Sequence, residues 1–132
     1  MKYMLDTNIC NYIMKKNPPQ VIEKYLSLNP SERCISSITL AELEFGVCKS
    51  NTPTKNRMAL KIFLAGIKIF PFDDKAATEY GEIRATLEKR GTPIGANDLL
   101  IAAHARALQL TLVTNNLKEF ERVDGLQAEN WT

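Results

Sequence analysis

A chain of 132 residues, 45% hydrophobic and 24% charged, has room for one ordinary core and a composition that argues against disordered, fibrous and membrane classes. A net charge of +2 does not by itself indicate nucleic-acid binding, and the three cysteines (Cys10, Cys34, Cys48), odd in number and without a Cys-x-x-Cys pair, fit reduced thiols. Asp6 comes too early for the apolar region of a signal peptide and no apolar run spans a bilayer, so one domain over residues 1–132, located in the cytoplasm, is expected.

Tyr3 to Asp6 is a short apolar run closed by an acid, too short for a helix and consistent with a buried strand. Thr7 and Asn8 turn the chain into a helix marked by Ile9, Tyr12 and Ile13. Asn17-Pro18-Pro19 breaks it, and the prolines open a second helix whose stripe is Val21, Ile22, Tyr25, Leu26 and Leu28. Asn29-Pro30-Ser31 closes that helix. Arg33 to Ser36 reads as a second strand, after which Thr39-Leu-Ala-Glu42 has the form of a capping box for a helix carrying Leu40, Leu43 and Val47. Beyond a loop at Ser50 to Pro53, the spacing predicts a helix over Met58 to Ala65, with Met58, Ile62 and Leu64 as its apolar residues.

Ile67 to Phe70 alternates like a strand, and Asp73-Asp74 can cap a long helix through Tyr80, Ile83 and Leu87 that stops near Gly91. Pro93 to Asn97 is a loop leading into a helix from Leu99 to Leu108. Leu110 to Thr114 is a β-rich run bounded by Asn115-Asn116, and the tail holds a turn at Gly125-Leu126 and the only tryptophan, Trp131. Strands separated by helical segments predict a parallel α/β sheet.

In such a sheet ligands bind outside the carboxyl ends of the strands. Asp6 closes the first strand there, and Glu42 and Asp98 stand near the starts of helices that leave the same edge. Each acid has a structural alternative. Asp6 could cap the following helix, Glu42 could complete the capping box, Asp98 could be an N-cap or a helix-dipole partner, and Asn116 and Glu119 could form a capping pair. Carboxylates gathered at one end of a small sheet repel, and a proton or a cation must offset them; oxygen-only ligation favours Mg²⁺ or Mn²⁺. His104, the sole histidine, has no Cys or His partner at ligand spacing and reads as a packed or half-exposed helix residue. From Phe45 to Phe72 there are Lys49, Lys55, Arg57, Lys61 and Lys68 and no acid. That block is either a solvated face or an attractor of a polyanion.

These segments resemble PIN-domain ribonucleases, and within them the VapC-type toxins of bacterial toxin–antitoxin pairs. The resemblance rests on Met4-Leu-Asp-Thr-Asn8, Ser37 to Gly46, Ile94 to Ala103, Leu112 to Asn116 and Phe120 to Trp131, in that order and spacing. It implies a three-layer α/β/α fold with a central parallel sheet of four to five short strands. It also implies endonucleolytic RNA cleavage with Asp6, Glu42 and Asp98 as metal ligands or bases. The family's frequent fourth acid falls on Asn116, which is not acidic; Glu119 is a substitute from one turn further on, and the number of metals stays open. Thr7, Asn8 and Thr114 would support the site, and Lys49, Lys55, Arg57 and Lys61 would attract RNA. The segment through Ile9-Cys10 looks like that of the enteric-type toxins, which implies initiator tRNA, cut in its anticodon stem-loop, as substrate and inhibition of translation as outcome. A VapB-type antitoxin, a homodimer and promoter DNA reached only through the antitoxin are the implied partners. Against this stand a non-catalytic RNA- or protein-binding module whose acids are caps, and a metal-dependent phosphatase or nuclease with another substrate.

Overall fold

Met4 and Leu5 are fully buried, and the strand that carries them has a neighbour on either side. The computed structural model describes all 132 residues. Strands β1 (Tyr3–Leu5), β2 (Arg33–Ser36), β3 (Lys68–Phe70), β4 (Thr111–Val113) and β5 (Ala128–Glu129) form one sheet in the order β3-β2-β1-β4-β5, and every pairing is parallel. Tyr3 stands opposite both Arg33 and Thr111, so β1 is the axis from which the two halves spread.

Parallel strands need crossover helices, and those helices cover both faces. Tyr3 and Leu5 pack with α1 (Thr7–Lys15), α2 (Pro19–Ser27), α3 (Ser37–Lys49) and α4 (Pro53–Leu64) through Ile13, Tyr25, Leu43 and Leu60. Met4, Cys34 and Leu112 point the other way, against Ile83 and Leu87 of α5 (Asp74–Arg90) and Ile101 of α6 (Ala96–Leu108). The short α7 (Leu117–Phe120) adds Phe120 to that second core. This is the expected α/β/α arrangement, with a five-strand sheet. Its fifth strand, two residues long, has no periodicity to read; Trp131 beyond it lies edge-on to Tyr3 at 5.5 Å and ties the tail to β1.

Several local expectations need correction. The box at Thr39 and Glu42 does not form, because α3 begins at Ser37 and Ser36 is its N-cap, its Oγ accepting from the Ile38 N–H at 3.1 Å. Thr39 is inside the helix, buried, with its hydroxyl unpaired. β2 ends at Ser36, and the first hydroxyl after the strand takes the cap. A capping box does form at Asn29 and Glu32, in the 3₁₀ turn over Pro30–Glu32 that follows α2. Helix α4 starts at Pro53 and buries Leu60 and Phe63, while Met58 and Ile62 are 59% and 69% exposed. Both sets have helical spacing, and packing into the core shared with α1, α2 and α3, where Phe63 stacks on Tyr25, selects one of them. Leu26 of α2, placed on the stripe from sequence, is likewise exposed. Helix α6 starts three residues earlier than its apolar run, at Ala96, so Asp98 sits within its first turn and is not its N-cap.

Other signals hold. Asp73 Oδ1 accepts from the Ala76 N–H, and Gly91 closes α5 with φ of 69°, the left-handed conformation glycine adopts without a Cβ clash.

Candidate active site

From β1 the chain steps outward through β2 to β3, then returns to the other side of β1 for β4 and β5. The strand order therefore reverses between β1 and β4, and the crevice outside their carboxyl ends is where an open α/β sheet binds ligands. Asp6 is the first residue after β1 on that edge. Its N–H donates to the Val113 carbonyl at 3.0 Å, and its Oδ1 accepts from the Ile9 N–H at 2.9 Å, so it does cap α1. Only 5% of Asp6 is exposed. Burial pushes its carboxyl above the ordinary range and the charge on Glu42 adds to the rise, while hydrogen bonds from Thr114 and Ile9 oppose it.

Glu42, freed from capping, projects from the second turn of α3. Thr7 donates to its Oε1 at 2.5 Å and the Asn97 amide to its Oε2 at 3.0 Å, so both oxygens are oriented by neutral donors from α1 and α6. Glu119 is held in the same manner: Gly95 N–H donates to Oε1 at 2.8 Å and Asn116 Nδ2 to Oε2 at 2.7 Å. Asn116 thus orients a carboxylate instead of capping α7, and its own N–H is turned inward to Thr114 Oγ1 at 3.0 Å. Asn8 donates to Asn115 at 3.3 Å, and Asn115 donates to the Tyr12 hydroxyl at 2.9 Å, closing one wall.

Asp98 lies among these groups, half-buried. Its carboxyl is raised from 3.8 to about 7, first by burial, then by the hydrogen bond it shares with Glu119, and then by the charges of Glu119, Asp6 and Glu42. All three neighbours named in that shift are acids. A Cβ placed on Gly95 would stand 3.5 Å from Asp98 Oδ2 and 3.6 Å from Glu119 Oε1, which shows how near the two carboxyl groups come at that turn. The donor set, oxygen-only and short of positive charge, fits a hard divalent cation. As the side chains stand, no three of the acids converge on a single point. Glu42 and Glu119 are each engaged instead by neutral donors.

The basic block divides. Lys49 shares an open groove of about 560 Å³ with Thr7, Glu42, Phe45 and Asn97, next to the acids. Lys55 lines an adjoining groove of about 510 Å³ with Asn11 and Lys15, and Asn11 belongs to both. Arg57 is paired with Glu44 at 2.5 Å, an acid one residue ahead of the acid-free stretch, and Lys61 lies with it on a separate depression beside Cys48 and Met58. A further hollow of about 420 Å³ over α5 holds none of Asp6, Glu42, Asp98 and Glu119, and Arg106 on its wall is paired with Glu79 and Glu82. His104 is buried and hydrogen-bonded to Ser36, away from any ligand position.

Sequence reasoning placed Asn115 after the last strand at this edge without giving it a role, and did not single out Asn97 or Gly95. Both belong to the Pro93–Asn97 segment expected as loop; the signal is their place just ahead of Asp98, where α6, starting at Ala96, sets the Asn97 amide on Glu42 and the Gly95 N–H on Glu119.

Comparison with known proteins adds the following. The family model for the PIN domain matches residues 3–126. Over 132 residues the chain is 46% identical to the tRNA(fMet)-specific endonuclease VapC of Shigella flexneri, covering 100% of this chain and 99% of that protein. Among solved structures, VapBC2 of Rickettsia felis bound to a promoter DNA fragment superposes with a TM-score of 0.92 at 48% identity, covering 100% of both chains. DNA-bound VapBC of Salmonella typhimurium superposes with a TM-score of 0.94 at 44% identity, covering 100% of this chain and 99% of that one.

Proposed function

The chain belongs to the PIN-domain family, and from that premise we propose that it is a toxin endoribonuclease, one PIN domain over residues 1–132, that hydrolyses RNA phosphodiester bonds and is neutralised by a VapB-type antitoxin. The observation that carries the catalytic reading is the gathering of Asp6, Glu42, Asp98 and Glu119 at the crevice between β1 and β4, with Asp98 raised to about 7 by burial first and by its acidic neighbours second. Purely structural caps have no reason to crowd this way, and only Asp6 among the four has a capping bond.

PIN-domain ribonucleases are in general divalent-metal dependent. In this chain Asp6, Glu42 and Asp98 would hold the ion, Mg²⁺ or Mn²⁺, with Glu119 in place of the acid that Asn116 lacks. The ion supplies positive charge against the carboxylates and the scissile phosphate, and activates water for attack. The remaining work falls to the chain itself. Thr7 and Asn97 orient Glu42, Asn116 and the Gly95 N–H orient Glu119, and Thr114 steadies Asp6. Asp98, raised to about 7 beside Glu119, is partly protonated near neutral pH. Lys49, with Lys55 and Lys15 behind it, draws the phosphate backbone along the grooves that meet at Asn11. Asn8 acts through Asn115 on the wall of the crevice.

The RNA target in this reading is initiator tRNA, cut in the anticodon stem-loop, with loss of translation as the outcome; the support is the full-length similarity to the Shigella endonuclease. The antitoxin would cover exposed Phe45, Met58 and Ile62 on α3 and α4. The chain would pair with a second copy of itself and reach promoter DNA only through the antitoxin. No helix is long and apolar enough to cross a membrane.

Incubating the purified chain with total tRNA, with Mg²⁺ or with EDTA, and mapping new ends tests the reading. The expected result is one Mg²⁺-dependent cut in the anticodon stem-loop of initiator tRNA. Intact RNA throughout, or cutting that ignores EDTA, overturns it in favour of a binding module or contaminating nuclease.

A further inference from the structure

We infer that the buried hydrogen bond between Ser36 and His104 is a strut that sets the separation of the helices carrying Glu42 and Asp98, which makes His104 a positioning residue for cleavage. The inference rests on the ribonuclease reading and deepens it.

His104 is 1% exposed and Ser36 is fully buried, yet the first lies in α6 and the second ends β2 and caps α3. His104 Nδ1 is 2.7 Å from Ser36 Oγ, across 68 positions of sequence. Ser36 Oγ already accepts from the Ile38 N–H, which leaves its own proton for the imidazole nitrogen. Burial lowers the His104 pKa and favours the neutral ring that can accept that proton. Phe72 lies edge-on to the ring at 5.5 Å and limits its rotation.

The position of this bond gives it its role. Glu42 follows Ser36 by six residues along α3, and His104 follows Asp98 by six along α6. At 1.5 Å per residue each acid stands about 9 Å along its helix from the strut. At the site itself the same two helices are joined again, by Asn97 Nδ2 donating to Glu42 at 3.0 Å. Two polar ties of fixed length therefore connect α3 and α6, one exposed among the acids and one buried beneath them. Without the lower tie, the exposed one and the packing of Ile38 against the α6 side of the core are left to hold the register of the two helices, and displacement of a catalytic group by about 1 Å is enough to cost a hundredfold in rate.

The test uses His104→Ala, His104→Asn, Ser36→Ala and the double variant Ser36→Ala/His104→Ala. Asn is included because its side-chain oxygen reaches the place of Nδ1. Melting curves, Mn²⁺ affinity without RNA, and kcat and KM on RNA are measured for each. His104→Ala should lower kcat by about 10- to 100-fold with KM within about twofold, and weaken Mn²⁺ about tenfold. His104→Asn should recover kcat to within about threefold of wild type. The double variant should be no slower than the slower single one, because both remove the same bond. A folded His104→Ala with wild-type kcat and Mn²⁺ affinity overturns the inference. So does a His104→Asn no better than His104→Ala, or strict additivity in the double variant. If His104→Ala does not fold, Ser36→Ala and His104→Asn carry the test: Ser36→Ala should show the same loss of kcat and Mn²⁺ affinity while His104→Asn stays near wild type, and a folded Ser36→Ala with wild-type kcat and Mn²⁺ affinity overturns the inference. Wild-type protein that binds Mn²⁺ but cuts no RNA defeats the ribonuclease reading alone, since the Mn²⁺ affinities still judge the strut.

Discussion

Two regions of this protein handle carboxylates in opposite ways. On the outer surface of α3 and α4, Glu44 is met by Arg57, both side chains are about two-fifths exposed, and the pair is a surface ion pair of little energetic weight. In the crevice between β1 and β4, Asp98 is met by Glu119, Asp6 and Glu42, and its proton is held to about pH 7. The first region is complete as it stands. The second gathers carboxylates with no cation among the partners named for Asp98, and in the proposed reading that surplus, kept at the switch point of the sheet, is the active site.

Removing a charge from the second region should have the largest effect. Asp98→Asn is expected to lower RNA cleavage on the order of a thousandfold in single-turnover assays, and Asp6→Asn to do the same. The Asp6 change is informative because asparagine caps a helix as well as aspartate does. A folded, inactive Asp6→Asn separates its charge from its capping bond to Ile9, whereas an active one would return Asp6 to a structural role.

Next in size, Glu119→Gln should weaken Mg²⁺ or Mn²⁺ affinity by about tenfold, measured by titration. Unchanged affinity would leave the fourth position to Asn116 or to water. Smaller again, Lys49→Gln should raise KM for RNA a few-fold and reduce the slope of log affinity against log salt by about one, while Arg57→Gln leaves both as they were. Equal effects from the two would erase the contrast drawn between the paired and unpaired cations.

The smallest effect is on stability. Asp98 has a folded pKa of about 7 against an ordinary 3.8, so the folded chain keeps a proton that the unfolded chain gives up. The stability this contributes is present below about pH 4 and is lost as pH rises through about 7. Melting of the metal-free protein should therefore fall by a few degrees between pH 5 and 8, with Asp6, also raised, contributing in the same direction. Asp98→Asn should flatten that slope. A melting temperature that climbs over the same range would contradict it.

The same contrast explains what could be read from the residues. Strand ends place side chains by backbone geometry, so Asp6, Glu42 and Asp98 could be assigned to one edge from the order of strands and helices, and the structure brings them there. Helix surfaces are settled by packing, which sequence does not display. Met58 and Ile62 have a stripe spacing as good as that of Leu60 and Phe63, and only the packing of the latter pair against α1, α2 and α3 distinguishes them. The false capping box at Thr39 arose because three hydroxyl-bearing residues, Ser36, Ser37 and Thr39, follow one another near the end of β2. Arg57 looked free because its partner, Glu44, stands 13 positions back and one helix away. Ser36 and His104 were out of reach for the same reason: 68 residues separate them, and neither side chain is unusual in its own segment.

Metal binding with its proton count tests the central claim most directly. Calorimetric titration of Mg²⁺ into the protein at pH 7, repeated in two buffers of different ionisation enthalpy, should show about half a proton released per ion bound, from a carboxyl with a pKa near 7. Asp98→Asn should abolish that release and most of the binding. Mg²⁺ bound by Asp98→Asn as tightly as by the unaltered chain, with no proton released by either, would contradict the assignment of the crevice as a metal-dependent active site.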